Sequence, residues 1–160
     1  SIKEELEKQL KDQEKIETEN KIVEKVVEMS SFEVPEGMIQ SQIDNEIKDF
    51  EYRVGMQGFN MERYLELTGM SVEELRNNFR SVAERRVRAD LVLEAIAKAE
   101  GIEVNEEDLD KELEKLAEQY KQENVEKFVK DMKKGDLGFL KAGISNSKVL
   151  DLLNEKVKFI

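Results

Sequence analysis

Carboxylates are the only abundant side chains here that could serve as acids, bases or metal ligands, because the 160-residue chain carries 37 Asp and Glu but no cysteine and no histidine. Those two absences remove the thiolate nucleophile, the Ser-His-Asp triad, the Cys-His pair, the Cys- and His-based zinc sites, disulfides and the usual general base near neutral pH. A dinuclear carboxylate bundle site would need Glu-x-x-His pairs and is excluded on the same ground. The densest acidic run, Glu106, Glu107, Asp108, Asp110 and Glu112, lies on a helix start, where acids complement the helix dipole and need no further purpose. Glycine-rich phosphate loops require GxGxxG or GxxxxGK[ST] spacing, which neither 55–58 nor 135–143 supplies. No active site and no metal, nucleotide or other cofactor is expected; an enzyme using carboxylates alone is the one catalytic reading left.

All seven arginines fall between Arg53 and Arg88, with a dense run at Arg85-Arg86-Val87-Arg88, while the flanks use lysine. Guanidinium groups favour bidentate pairing with carboxylates. Partnership with the chain's own acids is therefore expected ahead of an anion site. The net charge of −11 disfavours nucleic acid, whose binding depends on Lys and Arg neutralising phosphates, and disfavours an anionic membrane surface. No window approaches the roughly 20 apolar residues of a membrane span, and no signal-peptide pattern opens the chain. The expected location is the cytoplasm. The chain begins without methionine, directly in helical sequence at Ser1-Ile2-Lys3-Glu4, as an excised fragment would.

The informative residues are large, flexible and apolar. Phe50, Tyr52, Val54, Met56, Phe59, Met61 and Tyr64 cluster around a glycine-interrupted turn, and Leu116, Tyr120, Val125, Phe128, Val129 and Met132 cluster around a helix break. With 39% of residues apolar and another 39% charged, one globule cannot enclose them all, so some must face water. Thioethers and aromatic rings at loop-flanked positions suit a surface that re-packs around many partners.

Helices must position these clusters, since no segment shows sustained two-residue alternation. Residues 1–29 carry a thin apolar stripe from Ile2 to Met29, supported by Glu4–Lys8, Glu7–Lys11 and Glu17–Lys21 at i, i+4, each worth about 0.2–0.5 kcal/mol; the end with Val26, Val27 and Met29 is apolar enough to dock. Pro35 forces a boundary at Val34 and begins a helix through Ile39, Ile43, Ile47, Phe50 and Val54. A short helix spans about Asn60 to Thr68. Ser71-Val72-Glu73-Glu74 is a capping box that starts a helix running to Ala99, whose stretch from Val87 through Leu91, Val92, Leu93, Ala95, Ile96 and Ala97 is apolar most of the way round and is expected in the core. Gly101 ends it and Asn105 starts another helix, which pauses near Gln122-Glu123-Asn124 before further helices. The length is that of one ordinary domain, all-α with six or seven helices, extended rather than compact.

Val34-Pro35-Glu36-Gly37-Met38-Ile39-Gln40-Ser41-Gln42-Ile43-Asp44 resembles the VP-x-x-(L/M)-I-x-S-x-(I/L)-D signature that opens the second C-domain helix of trigger factors. Glu84-Arg85-Arg86-Val87, then Leu91, Leu93, Glu94 and Ile96, then Gly101-Ile102-Glu103-Val104 and Glu106, is similar to that family's long core helix and its exit. The resemblance spans the whole chain. It implies a C-terminal chaperone domain over residues 1–160: an elongated helical body with two protruding helical arms forming a cradle, like the helical core of parvulin-type chaperones. Substrate contacts would fall on Val54 near one tip and on Leu116, Tyr120, Val125, Phe128 and Val129 near the other. The family's ribosome-docking Gly-Phe-Arg-x-Gly-x-x-Pro loop and its FKBP-like prolyl isomerase domain do not occur in this sequence, so a ribosome would be met only through an N-terminal domain and isomerase activity would belong elsewhere. The expected role is binding of unfolded or nascent polypeptides without nucleotide, through Phe50, Val54, Met56, Phe59, Met61, Leu116, Tyr120, Val125, Phe128, Val129 and Met132. The rival reading is a structural helical dimerisation or scaffold module, and pairing of the domain with itself stays open.

Overall fold

A computed structural model describes residues 2–157; Ser1, where the first helical reading opens, lies outside them. The described residues form seven helices and no strand: α1 (Ile2–Glu28), α2 (Glu36–Met56), α3 (Met61–Thr68), α4 (Val72–Ala99), α5 (Glu106–Gln119), α6 (Val125–Met132) and α7 (Gly138–Val157). None of these helices is long and apolar enough to cross a membrane. Most boundaries follow from local chemistry. Pro35 sits extended at the N-cap of α2 with φ −60° and ψ 131°. Asn60 accepts the Arg63 N–H to start α3, and Gly69 ends it with φ 69°, a conformation glycine adopts without a Cβ clash. The Ser71 Oγ accepts the Glu74 N–H (3.2 Å) while the Glu74 carboxylate accepts the Ser71 N–H (2.8 Å), satisfying two otherwise orphaned donors. Asn105 and Asp108 do the same for α5. One boundary differs from the sequence expectation: α2 continues through Gly55 to Met56, because a helical glycine is tolerated at modest cost.

The chain forms two compact units, one from Val27 to Leu91 and the other from the residues before and after that segment. Each has its own core. In the Val27–Leu91 unit, Ile39 and Ile43 of α2 bury against Ala83 of α4, with Val34, Ile47 and Phe79 around them. Burying an aliphatic side chain of that size contributes roughly 1.5–3 kcal/mol, and the small alanine lets the helices approach closely. Charged pairs line the same seam. Arg80 donates to both carboxylate oxygens of Glu36 (2.7 and 2.6 Å), Arg76 reaches Asp44 (2.6 Å) and Gln40 (2.9 Å), and Arg86 reaches Glu46 (3.0 Å). Arg88 bonds Glu84 and the Phe32 carbonyl and stacks over the Phe32 ring at 5.6 Å. Arg76, Arg80, Arg86 and Arg88 thus find partners within the chain.

In the other unit, Leu93 and Ala97 of α4 bury with Val149 of α7, flanked by Val23, Ile96, Ile102, Leu150 and Leu153. Leu109 and Leu113 of α5 bury with Leu140 of α7, flanked by Leu116, Val129, Met132 and Ile144 among others. The Lys148 ammonium ties α7 to the start of α5 through Asp108 (2.5 Å) and the Glu103 carbonyl (2.9 Å). The apolar girdle of α4 divides accordingly, since its residues up to Leu91 belong to one unit and those from Val92 to the other. Ala95 is the exception and is exposed. The stripe on α1 also divides. Ile22 is buried and Val23 and Val26 are half-buried, whereas Ile2, Leu6, Leu10 and Ile16 are exposed. The exposed group occupies the first part of the helix and the docked group its last two turns, and Met29, expected to dock, is 85% exposed.

The Glu36–Arg80 clasp makes stability pH-dependent. Hydrogen bonding to Arg80, then to Gln40, holds the Glu36 carboxyl at about 2, down from its ordinary 4.5. A depressed carboxyl stabilises the fold fully above its unfolded value and loses that contribution as pH falls toward the folded value. The stability difference between wild type and Arg80→Gln, measured by urea unfolding, should therefore be constant above pH 5, shrink between about pH 4.5 and 2, and shrink also in high salt because the pair is exposed. A difference that persists unchanged at pH 2 contradicts this.

Candidate functional site

The end of α2 and the start of α3 carry the first apolar cluster. Phe50 is half-buried, meeting the Tyr64 ring edge-on at 4.9 Å and the Phe79 ring at 5.6 Å, with the Arg53 guanidinium 6.0 Å from its centre. Val54 is only 6% exposed. Its carbonyl accepts the N–H groups of Gln57 (3.1 Å) and Phe59 (3.2 Å), and Gly58 turns the chain with φ 82°. That tight turn faces Met56 (74% exposed) and Phe59 (46%) to solvent, and Tyr52, four residues before Met56 and on the same helical face, is 71% exposed. Met61 is half-buried. Val54, placed by the resemblance among substrate-contacting residues, leaves no surface for a partner in this conformation; it is a core residue under the turn. Leu67, 61% exposed, was not singled out from the sequence. Its signal was there: Met61, Tyr64 and Leu65 follow i, i+3, i+4 spacing, and Leu67 falls off that face.

The break between α5 and α6 carries the second cluster. Tyr120 caps α5 and is 64% exposed. The break is built by Lys121 at φ 50° and by the Gln122 N–H donating to the Ala117 carbonyl (2.9 Å), after which the Asn124 side chain accepts the Lys127 N–H to start α6. Leu116, Val129 and Met132 pack against the buried Leu109, Leu113 and Leu140 and so serve mainly as core. Val125 and Phe128 are half-buried. Phe128 and Met132 are the apolar lining of an open hollow of about 590 Å³ whose other walls are polar, including Lys121, Lys127 and Asp131. Phe139, placed in neither cluster from the sequence, is 70% exposed and lines a hollow of about 450 Å³ with Leu140, Gly143 and Ile144. Phe139 and Leu140 sit 100° apart on α7, and only Leu140 turns into the core.

The charges around these clusters are locked rather than poised. A hydrogen bond from Lys134 lowers the Asp131 carboxyl. Bonding to Asp110 and Glu106 raises Lys133, and bonding to Lys148 and to the Asn105 backbone lowers Asp108. Each resolved shift moves an acid down or a base up, away from neutrality, whereas general acid–base work needs groups brought toward it. Among the described residues no three carboxylates converge as a metal ion would require.

These features define an all-helical domain that holds thioether and aromatic side chains out to water at two helix breaks. The chain belongs to the trigger factor C-terminal family: the family profile described as bacterial trigger factor protein C-terminus matches residues 1–155. It is 43% identical over 152 residues to the trigger factor of Clostridioides difficile, covering 95% of this chain and 35% of that protein. It is 39% identical over 159 residues to the trigger factor of Alkaliphilus oremlandii, covering 99% and 37%. The chain thus spans about a third of the length of the curated relatives it matches, 35–37%. A solved structure from work on domains of trigger factor from Thermotoga maritima superposes with a TM-score of 0.67 at 26% identity, covering 89% of this chain and 83% of that one.

The contrast between Val54 and Met56 is measurable. Val54→Ala should cost about 1–3 kcal/mol through lost burial and the cavity left behind. Met56→Ala should stay within about 0.5 kcal/mol, as exposed substitutions do. Equal losses in chemical unfolding would show that Met56 is part of the core.

Proposed function

We propose that this chain is an ATP-independent chaperone domain that binds exposed apolar segments of unfolded or nascent polypeptides, delays their aggregation and catalyses no reaction. The observation that carries the reading is the exposure of Tyr52, Met56 and Phe59 at one helix break and of Tyr120 at the other, in a family recognised for chaperone action. On this reading those four side chains make the contacts, with Val125 and Phe128 beside Tyr120. Phe50, Val54, Met61, Leu116, Val129 and Met132 hold the contact residues in place from below.

Magnitudes support weak, fast, repeated contact. Full burial of one large apolar side chain contributes roughly 1.5–3 kcal/mol, and a client that grips only two or three of them must also be ordered. A single patch therefore binds loosely. Two patches engaging one flexible client reinforce each other through effective concentration. The net charge of −11 keeps the exposed apolar area soluble and repels strongly acidic clients. Ribosome contact and prolyl isomerisation would lie in other parts of a whole trigger factor, and the cytoplasm is the compartment that this role requires.

The test is aggregation of an unrelated denatured protein, followed by light scattering with and without the domain, beside a measurement of its size. The domain should slow aggregation at near-stoichiometric ratio. The variant with Met56, Phe59 and Tyr120 all replaced by serine should keep its helicity yet bind about tenfold more weakly, at roughly 0.5 kcal/mol lost per side chain. A chain that leaves aggregation untouched while forming concentration-dependent dimers would instead establish the scaffold reading.

A further inference from the structure

We propose that the patch at the end of α2 is a site of reversible methionine oxidation, with Met56 as the residue whose sulfoxide weakens client binding. The proposal rests on the chaperone reading for its consequence, but not for the chemistry at sulfur.

The chain has six methionines and no cysteine, so its thioethers are its only sulfur centres. None of the six is buried. They still differ sharply in access. Met29 is 85% exposed, Met56 74% and Met38 41%, whereas Met61, Met70 and Met132 are half-buried. Met132 packs against the Leu109–Leu113–Leu140 core, and the Met70 Sδ accepts a hydrogen bond from Asn78 Nδ2 at 3.5 Å, which engages one of its lone pairs. Oxidation by a peroxide requires the oxidant to reach a sulfur lone pair, so rate follows exposure.

The step is a two-electron oxygen transfer. A sulfur lone pair attacks one peroxide oxygen, the O–O bond breaks, an S–O bond forms, and the second oxygen leaves as water after taking up a proton. Hydrogen peroxide is reduced and the thioether is oxidised. The product is a polar sulfoxide in place of a flexible apolar group. Position decides the consequence. Met56 lies between Tyr52, four residues earlier on α2, and Phe59 across the Gly58 turn, so its sulfoxide puts a strong hydrogen-bond acceptor inside the apolar patch. Met29 is as exposed but lies between α1 and α2 and belongs to neither cluster. Its oxidation changes no contact surface, and it serves as an internal control.

The experiment treats the 160-residue chain with hydrogen peroxide, quenches with catalase, and follows each methionine by peptide mass spectrometry alongside the aggregation assay. Met29 and Met56 should gain one oxygen several-fold faster than Met61, Met70 and Met132. Treated wild type should lose most of the suppression that depends on Met56, and a methionine sulfoxide reductase should restore it. Met56→Leu, measured against its own untreated sample, should keep whatever suppression it has after treatment although Met29 is oxidised in it. Uniform oxidation of the six, or Met56 trailing Met132, overturns the site. A treated Met56→Leu chain that loses as much as wild type overturns the assignment to Met56. An untreated wild-type chain that fails to slow aggregation overturns the chaperone reading and the consequence drawn from it, while the mass profile still decides the site on its own.

Discussion

Burial of branched aliphatics against small residues of long helices is the interaction on which everything else in this chain depends. Ile39 and Ile43 close on Ala83 in one unit, and Leu93 and Val149 close with Ala97 in the other. Alanine at the seam brings helix backbones together, so a few large side chains exclude water efficiently. The seams are thin because the composition is thin, with as many charged residues as apolar ones. Long-reaching ion pairs such as Glu36–Arg80 and Lys148–Asp108 flank the seams and set register more than they add stability, since water and salt screen them.

Helix breaks convert that frame into surface. At the end of α2 the Val54 carbonyl gathers two amides and Gly58 supplies the left-handed residue. At the end of α5 a lysine takes up the left-handed conformation that glycine supplies elsewhere. In both places backbone hydrogen bonding fixes a turn and large side chains beside it face solvent, Tyr52, Met56 and Phe59 at the first and Tyr120 at the second. A buried residue under each turn, Val54 in one and Ala117 in the other, accepts the amides that close it. Exposure at these points is thus a consequence of how the chain changes direction, and the surrounding charges keep it from becoming a general liability to aggregation.

Much was legible beforehand because it is local. The capping box at Ser71, the helix start at Asn105, the proline at the entry of α2 and the glycines at 69 and 101 act within three or four residues, and spacing alone reveals them. The family was legible too, through the Val34-to-Asp44 signature and the Glu84-to-Glu106 stretch. Apolar spacing was less decisive on α1, where a single stripe proved to be docked at its C-terminal end and exposed along the rest.

What the sequence determined by itself, then, was the all-helical class, most helix limits, the exclusion of thiol and imidazole chemistry, and the two regions where apolar side chains gather. Tertiary structure alone decided which members of those regions reach solvent: Met56, Phe59, Tyr52 and Tyr120 do, while Val54 does not and Leu116, Val129 and Met132 pack on a core. The reason is that burial depends on which helix lies across a given face, a relation between residues far apart in the chain. Composition and periodicity register a side chain's type and its neighbours three and four positions away, and nothing of what packs against it from elsewhere.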